Sequence, residues 1–256
     1  MLTACKRKYG PGRILLSGLI LVTMVGSGRV LASDWPQLQY DPAHTGYSPD
    51  QPKPPYRLLW HRDLGEPMAT ASQVIVAGGK VFVGTNYGNL YALDRSSGET
   101  AWTYKTGGPI LGTPAYHEGI VYVDSMDHYC HAVDATTGKG VWSFRTGAGI
   151  WAAPVIADGK VFVAGRDEWV YALDCTNGEE LWKASVGGPV MNTPAYAKGT
   201  LYVAGGDMHV YAYGGTDGNG KTNRGAGARG HFGGEPPQGG RAHSRGREDE
   251  HGRRAP

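Results

Sequence analysis

The sequence has few cysteines, only three in 256 residues, at Cys5, Cys130 and Cys175. So few cysteines exclude a small scaffold held together mainly by disulfides. The sequence also lacks the C-x-x-C-H pattern that attaches a c-type haem. Cys130 and Cys175 fall at different places in the repeat described below, so we expect two separate thiols, with their oxidation state left open.

A long hydrophobic run is also missing. The longest apolar stretch, residues 14–25, has 12 residues, against the roughly 20 that a membrane-spanning helix needs. Basic residues precede this stretch, and Val30-Leu31-Ala32 follows it. This order predicts a secretory signal peptide over residues 1–32, a periplasmic or extracellular location, and no stable membrane span after cleavage. An uncleaved anchor is the alternative.

The segment 214–256 lacks Val, Ile, Leu, Met, Trp and Tyr altogether, and it contains 13 Gly and 7 Arg. Such a composition cannot bury enough apolar surface to offset the entropy lost on ordering the chain. It predicts a disordered Gly/Arg-rich C-terminal tail, either a genuine segment or an out-of-frame reading of a longer gene.

Positive charge is scarce in the body of the chain. Residues 33–213 contain 12 Lys and Arg against 18 Asp and Glu, although the whole chain carries a formal net charge of +2. A body with excess negative charge repels phosphate backbones. We therefore expect no nucleic-acid partner.

No apolar period of 3.6 residues extends over a helix length, but a 40-residue repeat is present. Trp102, Trp142 and Trp182 stand 40 residues apart, and Trp60 precedes Trp102 by 42. Each of the three equally spaced tryptophans ends the phrase A-x-D-x-x-(S/T/N)-G-x-x-x-W. Its fixed positions are Ala92, Asp94, Gly98 and Trp102; Ala132, Asp134, Thr137, Gly138 and Trp142; and Ala172, Asp174, Gly178 and Trp182. In a fourth attempt, Gly214 replaces the Asp and Thr222 replaces the Trp.

Each repeat contains short runs of β-branched and aromatic residues separated by turns that contain Gly or Asp. This pattern predicts an all-β fold, a β-propeller of about four four-stranded blades in a partial or open ring, over residues 60–213. Residues 33–59 form a lead-in. We expect the repeated Asp to hydrogen-bond its own turn, the Gly to adopt positive φ, and the Trp to pack on the neighbouring blade.

The repeated phrase resembles the tryptophan-docking motif of quinoprotein propellers, and residues 132–142 match it at every fixed position. The lead-in, residues 34–49, is similar to the opening of bacterial secreted proteins with PQQ-like repeats. The resemblance covers about residues 34–213. It implies a propeller fold, and many such propellers are platforms for protein interaction.

For dehydrogenases of this superfamily, the resemblance implies an eight-bladed ring that holds pyrroloquinoline quinone (PQQ) over Ca²⁺. A catalytic Asp lies near the metal in them, and often an adjacent Cys-Cys pair. This sequence has no adjacent cysteine pair and about half that number of blades. We therefore assign no catalytic, cofactor-binding or metal-binding residue and expect no cofactor, with PQQ and Ca²⁺ only if the chain is part of a dehydrogenase.

Three polar residues, Asp124, Asp127 and His128, lie close together in the sequence and suggest a metal or acid–base site. However, Asp127 recurs as Asp167 and Asp207 in predicted hairpin turns, where Asp commonly bonds local backbone. We interpret them as turn residues.

The loops before the inner strands vary between repeats, and such loops line one mouth of a propeller channel. They supply a candidate binding surface for a protein or peptide, consisting of Trp151, Met68, Ile110 and Met191. The alternative is that Trp151 only fills the top of the channel.

The sequence therefore predicts an exported, non-catalytic binding or scaffolding module. One alternative is the N-terminal part of a PQQ-dependent dehydrogenase, and another is a truncated fragment that folds poorly and has no function. The last repeat lacks its Trp strand, and residues 34–60 are candidates to add a strand through Trp35 or Trp60. Ring closure, a homodimer through open edges, and truncation all remain open.

Overall fold

The computed structural model describes residues 33–48, 54–70 and 72–216. The predicted signal peptide and nearly all of the predicted tail lie outside the described residues. Within those ranges the fold is all-β, and no helix is long and apolar enough to cross a membrane.

The strands form four antiparallel sheets, one for each repeat, and we call these sheets blades 1 to 4. Blade 1 contains β1 (Ile75–Ala77), β2 (Lys80–Gly84), β3 (Asn89–Asp94) and β4 (Thr100–Lys105). Blade 2 contains β5 (Ala115–His117), β6 (Ile120–Asp124), β7 (Tyr129–Asp134) and β8 (Gly140–Arg145). Blade 3 contains β9 (Val155–Ala157), β10 (Lys160–Ala164), β11 (Trp169–Asp174) and β12 (Glu180–Ser185). Blade 4 contains β13 (Ala195–Ala197), β14 (Thr200–Ala204) and β15 (Val210–Gly214).

Each blade is a meander whose neighbouring strands pair in chain order, and the pairing register repeats every 40 residues. Ala92, Ala132 and Ala172 lie opposite Trp102, Trp142 and Trp182, each followed by a bulge. Blade 4 has three strands within the described residues, and β15 extends to Gly214, which the composition had assigned to the tail. The all-β prediction of about four blades is confirmed.

The turn after the third strand is built as the repeated phrase predicts. In blade 2, Asp134 Oδ1 accepts the N–H groups of Thr136 (3.0 Å) and Thr137 (2.9 Å), and Gly138 has a φ of 73°. A Cβ added at Gly138 would lie 2.7 Å from Cδ2 of Trp102 in blade 1. Glycine is therefore required twice here, for positive φ and for the close approach of the ring.

The repeated tryptophans contact the next blade along the chain. The indole Nε1 of Trp102 donates to the carbonyl of Ala135 (3.0 Å), and that of Trp142 donates to the carbonyl of Cys175 (3.2 Å). Trp60 makes the same contact with Arg95 in blade 1 (2.9 Å). Trp182 Nε1 is buried and has no hydrogen-bond partner within the described residues.

The hydrophobic core lies between the blades, in three clusters. Each cluster joins aromatic and aliphatic residues on one face of a blade to valines and leucines on the opposing face of the next. We call the face that points to the next blade the trailing face, and the opposite one the leading face. Phe82, Tyr122 and Phe162 occupy the same position on three trailing faces and are fully buried.

The two cysteines of the repeats are not joined to each other. Cys130 is a free, fully buried thiol. Cys175 is also buried, and no disulfide joins it to Cys130.

The lead-in crosses the inner strands of all four blades and accepts one backbone N–H from each. The pairs are Trp35 O with Val76 N (2.9 Å), Pro36 O with Tyr116 N (2.7 Å), Gln37 Oε1 with Ile156 N (3.3 Å) and Pro42 O with Tyr196 N (2.7 Å). These four donors stand 40 residues apart, at one position of the repeat. Of the two candidates to add a strand, Trp35 forms an isolated β-bridge with β1, whereas Trp60 docks through its side chain.

Candidate binding site at the channel mouth

A cavity of about 250 Å³ lies where the lead-in meets the loops before the inner strands of blades 2, 3 and 4. Three apolar side chains at one repeat position, Leu111, Trp151 and Met191, approach it from successive blades. The full lining consists of these residues with Leu38, Gln39, His44, Gly112, Thr113, Asn192 and Thr193.

The lead-in side of the cavity is a tightly turned loop. Asp41 Oδ1 accepts the N–H groups of Ala43 (3.0 Å) and Thr45 (3.1 Å), and the Thr45 hydroxyl bonds the other carboxylate oxygen. Gly46 N–H donates to the carbonyl of Gln39 (2.8 Å), which closes the loop. These local bonds, together with the bond from Tyr196 N–H in blade 4 to the Pro42 carbonyl, place Gln39 and His44 against the cavity.

The blade side is held by threonine hydroxyls that link consecutive blades. Thr113 Oγ1 accepts the N–H of Gln73 (2.9 Å), and Thr193 Oγ1 accepts the N–H of Ala153 (3.0 Å). Because each bond spans 40 residues, it fixes one loop relative to the next. Trp151 and Met191 therefore project from a preorganised wall.

The cavity carries no permanent charge, since no Asp, Glu, Lys or Arg is among its lining residues. His44 is its one titratable group. Burial lowers the pKa of His44 below its ordinary value, and the carboxylate of Asp41 opposes this only in part. At neutral pH the imidazole is uncharged, so the site offers apolar contact and neutral hydrogen bonds.

The four residues predicted to line the channel mouth lie in three different places in the structure. Trp151 (37% exposed) and Met191 (46% exposed) meet in this cavity. Ile110 has no exposed surface and belongs to the core between blades 1 and 2. Met68 lines a different cavity, on the leading face of blade 1.

Sequence reasoning missed the lead-in's contribution of Leu38, Gln39 and His44. Their signal in the sequence is weak, because they lie outside the repeat and no spacing relates them to it.

A family model described as outer membrane protein assembly factor BamB matches residues 57–152 and 129–221, more than half of the chain. The chain belongs to this family. Its PQQ-like repeats are the 40-residue units described above.

Two curated relatives match parts of the chain. Outer membrane protein assembly factor BamB of Salmonella typhimurium is 36% identical over 69 residues, 24% of this chain and 18% of the relative. A 1-butanol dehydrogenase (cytochrome c) of Thauera butanivorans is 31% identical over 136 residues, 47% of this chain and 20% of the relative. The chain therefore spans about a fifth of the length of the curated relatives that it matches.

Among solved structures, BamB from Moraxella catarrhalis superposes with a TM-score of 0.56 at 24% identity. The alignment covers 62% of this chain and 49% of that one. At this identity the likeness shows the propeller fold alone.

The BamB-family chain has one buried acid that the repeat does not explain. Asp124 ends β6, where the other blades have Gly84, Ala164 and Ala204. It is fully buried, and neither carboxylate oxygen has an N–H or O–H partner within the described residues. Burial raises the pKa of Asp124 to about 8, which the neighbouring thiol of Cys130 only partly opposes. Burial also raises the pKa of Cys130, so both groups hold their protons at neutral pH.

The residues around Asp127 form a polar contact between blades 1 and 2. His131 Nε2 lies 3.0 Å from Asp127 Oδ2, and His131 Nδ1 lies 3.1 Å from the hydroxyl of Tyr104. Burial acts to raise the pKa of Asp127, but hydrogen bonds from His131 and from the N–H of Gly107 hold it below its ordinary value. Asp167 repeats the arrangement with the hydroxyl of Tyr171 (2.6 Å), as a structural turn residue would.

A quinone held over Ca²⁺ requires a Ca²⁺ site. Such a site needs several oxygen ligands that converge on the ion. Within residues 33–48, 54–70 and 72–216, no group of three or more His, Cys, Asp or Glu side chains could hold a metal ion.

Proposed function

We propose that this chain is an exported, non-catalytic binding or scaffolding module that holds a protein or peptide partner at the channel mouth. One observation carries the proposal: three loops at one repeat position bring Leu111, Trp151 and Met191 to a single uncharged cavity. Large, half-exposed Trp and Met side chains on a rigid frame are typical anchors for a partner. The name of one relative, an assembly factor of outer membrane proteins, supports a protein partner.

The chemistry of the cavity indicates what kind of peptide it takes. Trp151 and Met191 suit an apolar or aromatic anchor side chain, whereas Asn192 and Gln39 offer neutral hydrogen bonds to its backbone. Because no charged side chain lines the cavity, affinity should change little between about 0.05 and 0.5 M salt.

A peptide library displayed on phage tests this proposal. Peptides selected on the full chain should lose at least about tenfold in affinity on Trp151→Ala, a loss of about 1.4 kcal/mol or more, and should also weaken on Met191→Ala. Val141→Ala is the matched control, since Val141 is also exposed but lies on an outer strand away from the cavity. Selected peptides that bind Trp151→Ala as well as the unaltered chain would show that the cavity is not the site.

We propose export through the signal peptide at residues 1–32, and the relative named for the outer membrane supports it. Expression of the full chain in a Gram-negative host should give a mature protein outside the cytoplasm with Ser33 at its N-terminus. A chain lacking residues 2–32 should stay in the cytoplasm. Recovery of the uncleaved full chain from the cytoplasm would contradict export.

The second candidate function is that of a PQQ-dependent dehydrogenase segment, favoured by the match to 1-butanol dehydrogenase. A thermal-shift measurement with PQQ and Ca²⁺ separates the two. The binding-module proposal expects no stabilisation, whereas a rise in Tm that requires both additives would favour the dehydrogenase.

A further inference from the structure

The trailing face of blade 4 is exposed where the other trailing faces are buried. Tyr202 is 45% exposed and Val210 is 69% exposed. The residues at the same repeat positions, Phe82 and Leu90 in blade 1, are fully buried against blade 2. Among the residues that the structure describes, blade 4 therefore presents an apolar surface whose counterparts in the other blades are covered.

The leading face of blade 1 carries the other half of such an interface. A cavity of about 320 Å³ lies over Val81, Val83 and Leu93, which are themselves buried, so a second copy would fill the cavity above them and not cover an exposed surface. In blade 2 the same positions, Val121, Val123 and Val133, receive the side chains of the trailing face of blade 1. Residues between 60 and 68 rim this cavity, with Trp60 already docked on blade 1 as a preceding blade's tryptophan would be.

The two ends also match in their strands. Within the described residues, β15 has a neighbour on one edge only, and the segment around Trp60 is paired with no strand. In blades 1 to 3 the docking Trp lies on the outer strand opposite a fixed alanine, as in Ala92 opposite Trp102. By that register, Ala212 would lie opposite Trp60 and Val210 opposite Arg62.

We propose that two copies of this chain associate head to tail, with the trailing face of blade 4 on the leading face of blade 1 of the second copy. The Trp60 segment of the second copy would then add the fourth strand to blade 4. The contact continues an interface that each copy already makes three times between its own blades. The contact joins two different faces, so it is heterologous. It gives a closed ring if the rotation between successive blades brings the ends together, and a longer array if it does not.

The charges at the contact are compatible with this pairing. In the same register His209 would lie opposite Asp63, and Arg62 would lie opposite the apolar Val210. In this register no two like charges lie directly opposite each other across the two strands. Such a pair would oppose strand pairing.

The mass of the full chain in solution, measured by light scattering over a concentration series, is the first test. We expect a species of two or more copies that dissociates on dilution, and Tyr202→Ser should raise the dissociation constant at least about tenfold. Val141→Ser is the control, because Val141 is similarly exposed but lies on neither proposed face. A monomer at all concentrations would overturn the proposal, including a monomer whose own residues after 216 cover the face.

A disulfide cross-link tests the register. A mixture of Arg62→Cys and Val210→Cys chains should form a covalent heterodimer under mild oxidation, because both positions are exposed. Arg62→Cys mixed with Lys198→Cys is the control, since Lys198 lies in the exposed turn between β13 and β14, beside the Gly214 end of β15 and not the Val210 end. Association without the Arg62–Val210 cross-link would mean a different interface and would overturn the head-to-tail arrangement. Thermal unfolding of each single variant checks that it is folded.

Discussion

Gly138 and Trp102 show at the residue scale how one repeat is tied to the next. Positive φ at Gly138 lets the chain turn, and the missing Cβ leaves room for the indole of the preceding blade. Gly119 also has positive φ, 85°, but an added Cβ there would meet no heavy atom within 4 Å. A comparison of Gly138 with Gly119 therefore separates the cost of backbone strain from the cost of a steric collision.

Gly138→Ala should destabilise the protein more than Gly119→Ala. The left-handed conformation costs an alanine about 1–2 kcal/mol at either position. At Gly138 the collision with Trp102 adds roughly 1–3 kcal/mol, as overpacking does in a core. Urea unfolding followed by tryptophan fluorescence measures both, and equal losses would show that the ring moves aside without cost.

Asp124 should make stability depend on pH. Its pKa is raised to about 8 in the folded protein, so between its ordinary value near 3.8 and pH 8 the folded state keeps a proton that the unfolded state has lost. The free energy of unfolding should therefore fall as pH rises through this window, by up to about 1.4 kcal/mol per pH unit.

Asp124→Ala introduces the residue that blades 3 and 4 have at this position. We expect it to remove this slope and to raise the free energy of unfolding at pH 7.5, as measured by denaturant unfolding from pH 5 to 8. Asp63→Ala, at an exposed position, should leave the slope in place. An unchanged slope in Asp124→Ala would contradict the assignment.

The lead-in acts at the scale of elements, because it joins four inner strands that do not pair with one another. Three of its acceptors are backbone carbonyls, and the fourth is the buried side chain of Gln37. Ile156 N–H is thus the one donor of the four whose partner a substitution can remove.

Gln37→Ala should leave the N–H of Ile156 without a partner. We expect a loss of about 1–3 kcal/mol in the free energy of unfolding, the cost of an unsatisfied buried donor. Amide hydrogen exchange of Ile156 should quicken with it. Gln39→Ala, at an exposed side chain in the same loop, should change stability by about 0.5 kcal/mol or less. Similar losses in both variants would mean that the loop as a whole, not this bond, carries the effect.

At the scale of the whole molecule, residues at the same repeat position differ in burial, because the inner blades have a neighbour on that face and the last described blade does not. Phe162 lies between blades 3 and 4, whereas Tyr202, at the same position one blade later, is half exposed. The sequence pattern alone treats the two as equivalent.

Phe162→Ala should therefore cost about 3–5 kcal/mol in the free energy of unfolding. Tyr202→Ala should cost about 1 kcal/mol or less, measured at a protein concentration low enough for monomers. Equal costs in dilute solution would mean that something covers the trailing face of blade 4 within one chain.

Much of the fold could be predicted from residues that recur at fixed spacing. The strands, the Asp-Gly turns and the tryptophan contacts follow local rules that each repeat restates, so three copies support one another. The candidate site was predicted only in part. Trp151 and Met191 differ from a repeat consensus and could be noticed, whereas Ile110 occupies a loop of the same pattern and turns inward to the core.

The sequence by itself determined the all-β class, the blade boundaries and the turn chemistry, because these depend on interactions within about 40 residues. The tertiary structure alone decided that the lead-in crosses all four inner strands and that His44 and Gln39 meet Trp151. It also decided that Asp124 is buried with no N–H or O–H partner among the described residues. These contacts join residues more than 100 positions apart in several cases, as Gln37 and Ile156 do. No local period encodes them, since they arise only when the blades are packed side by side.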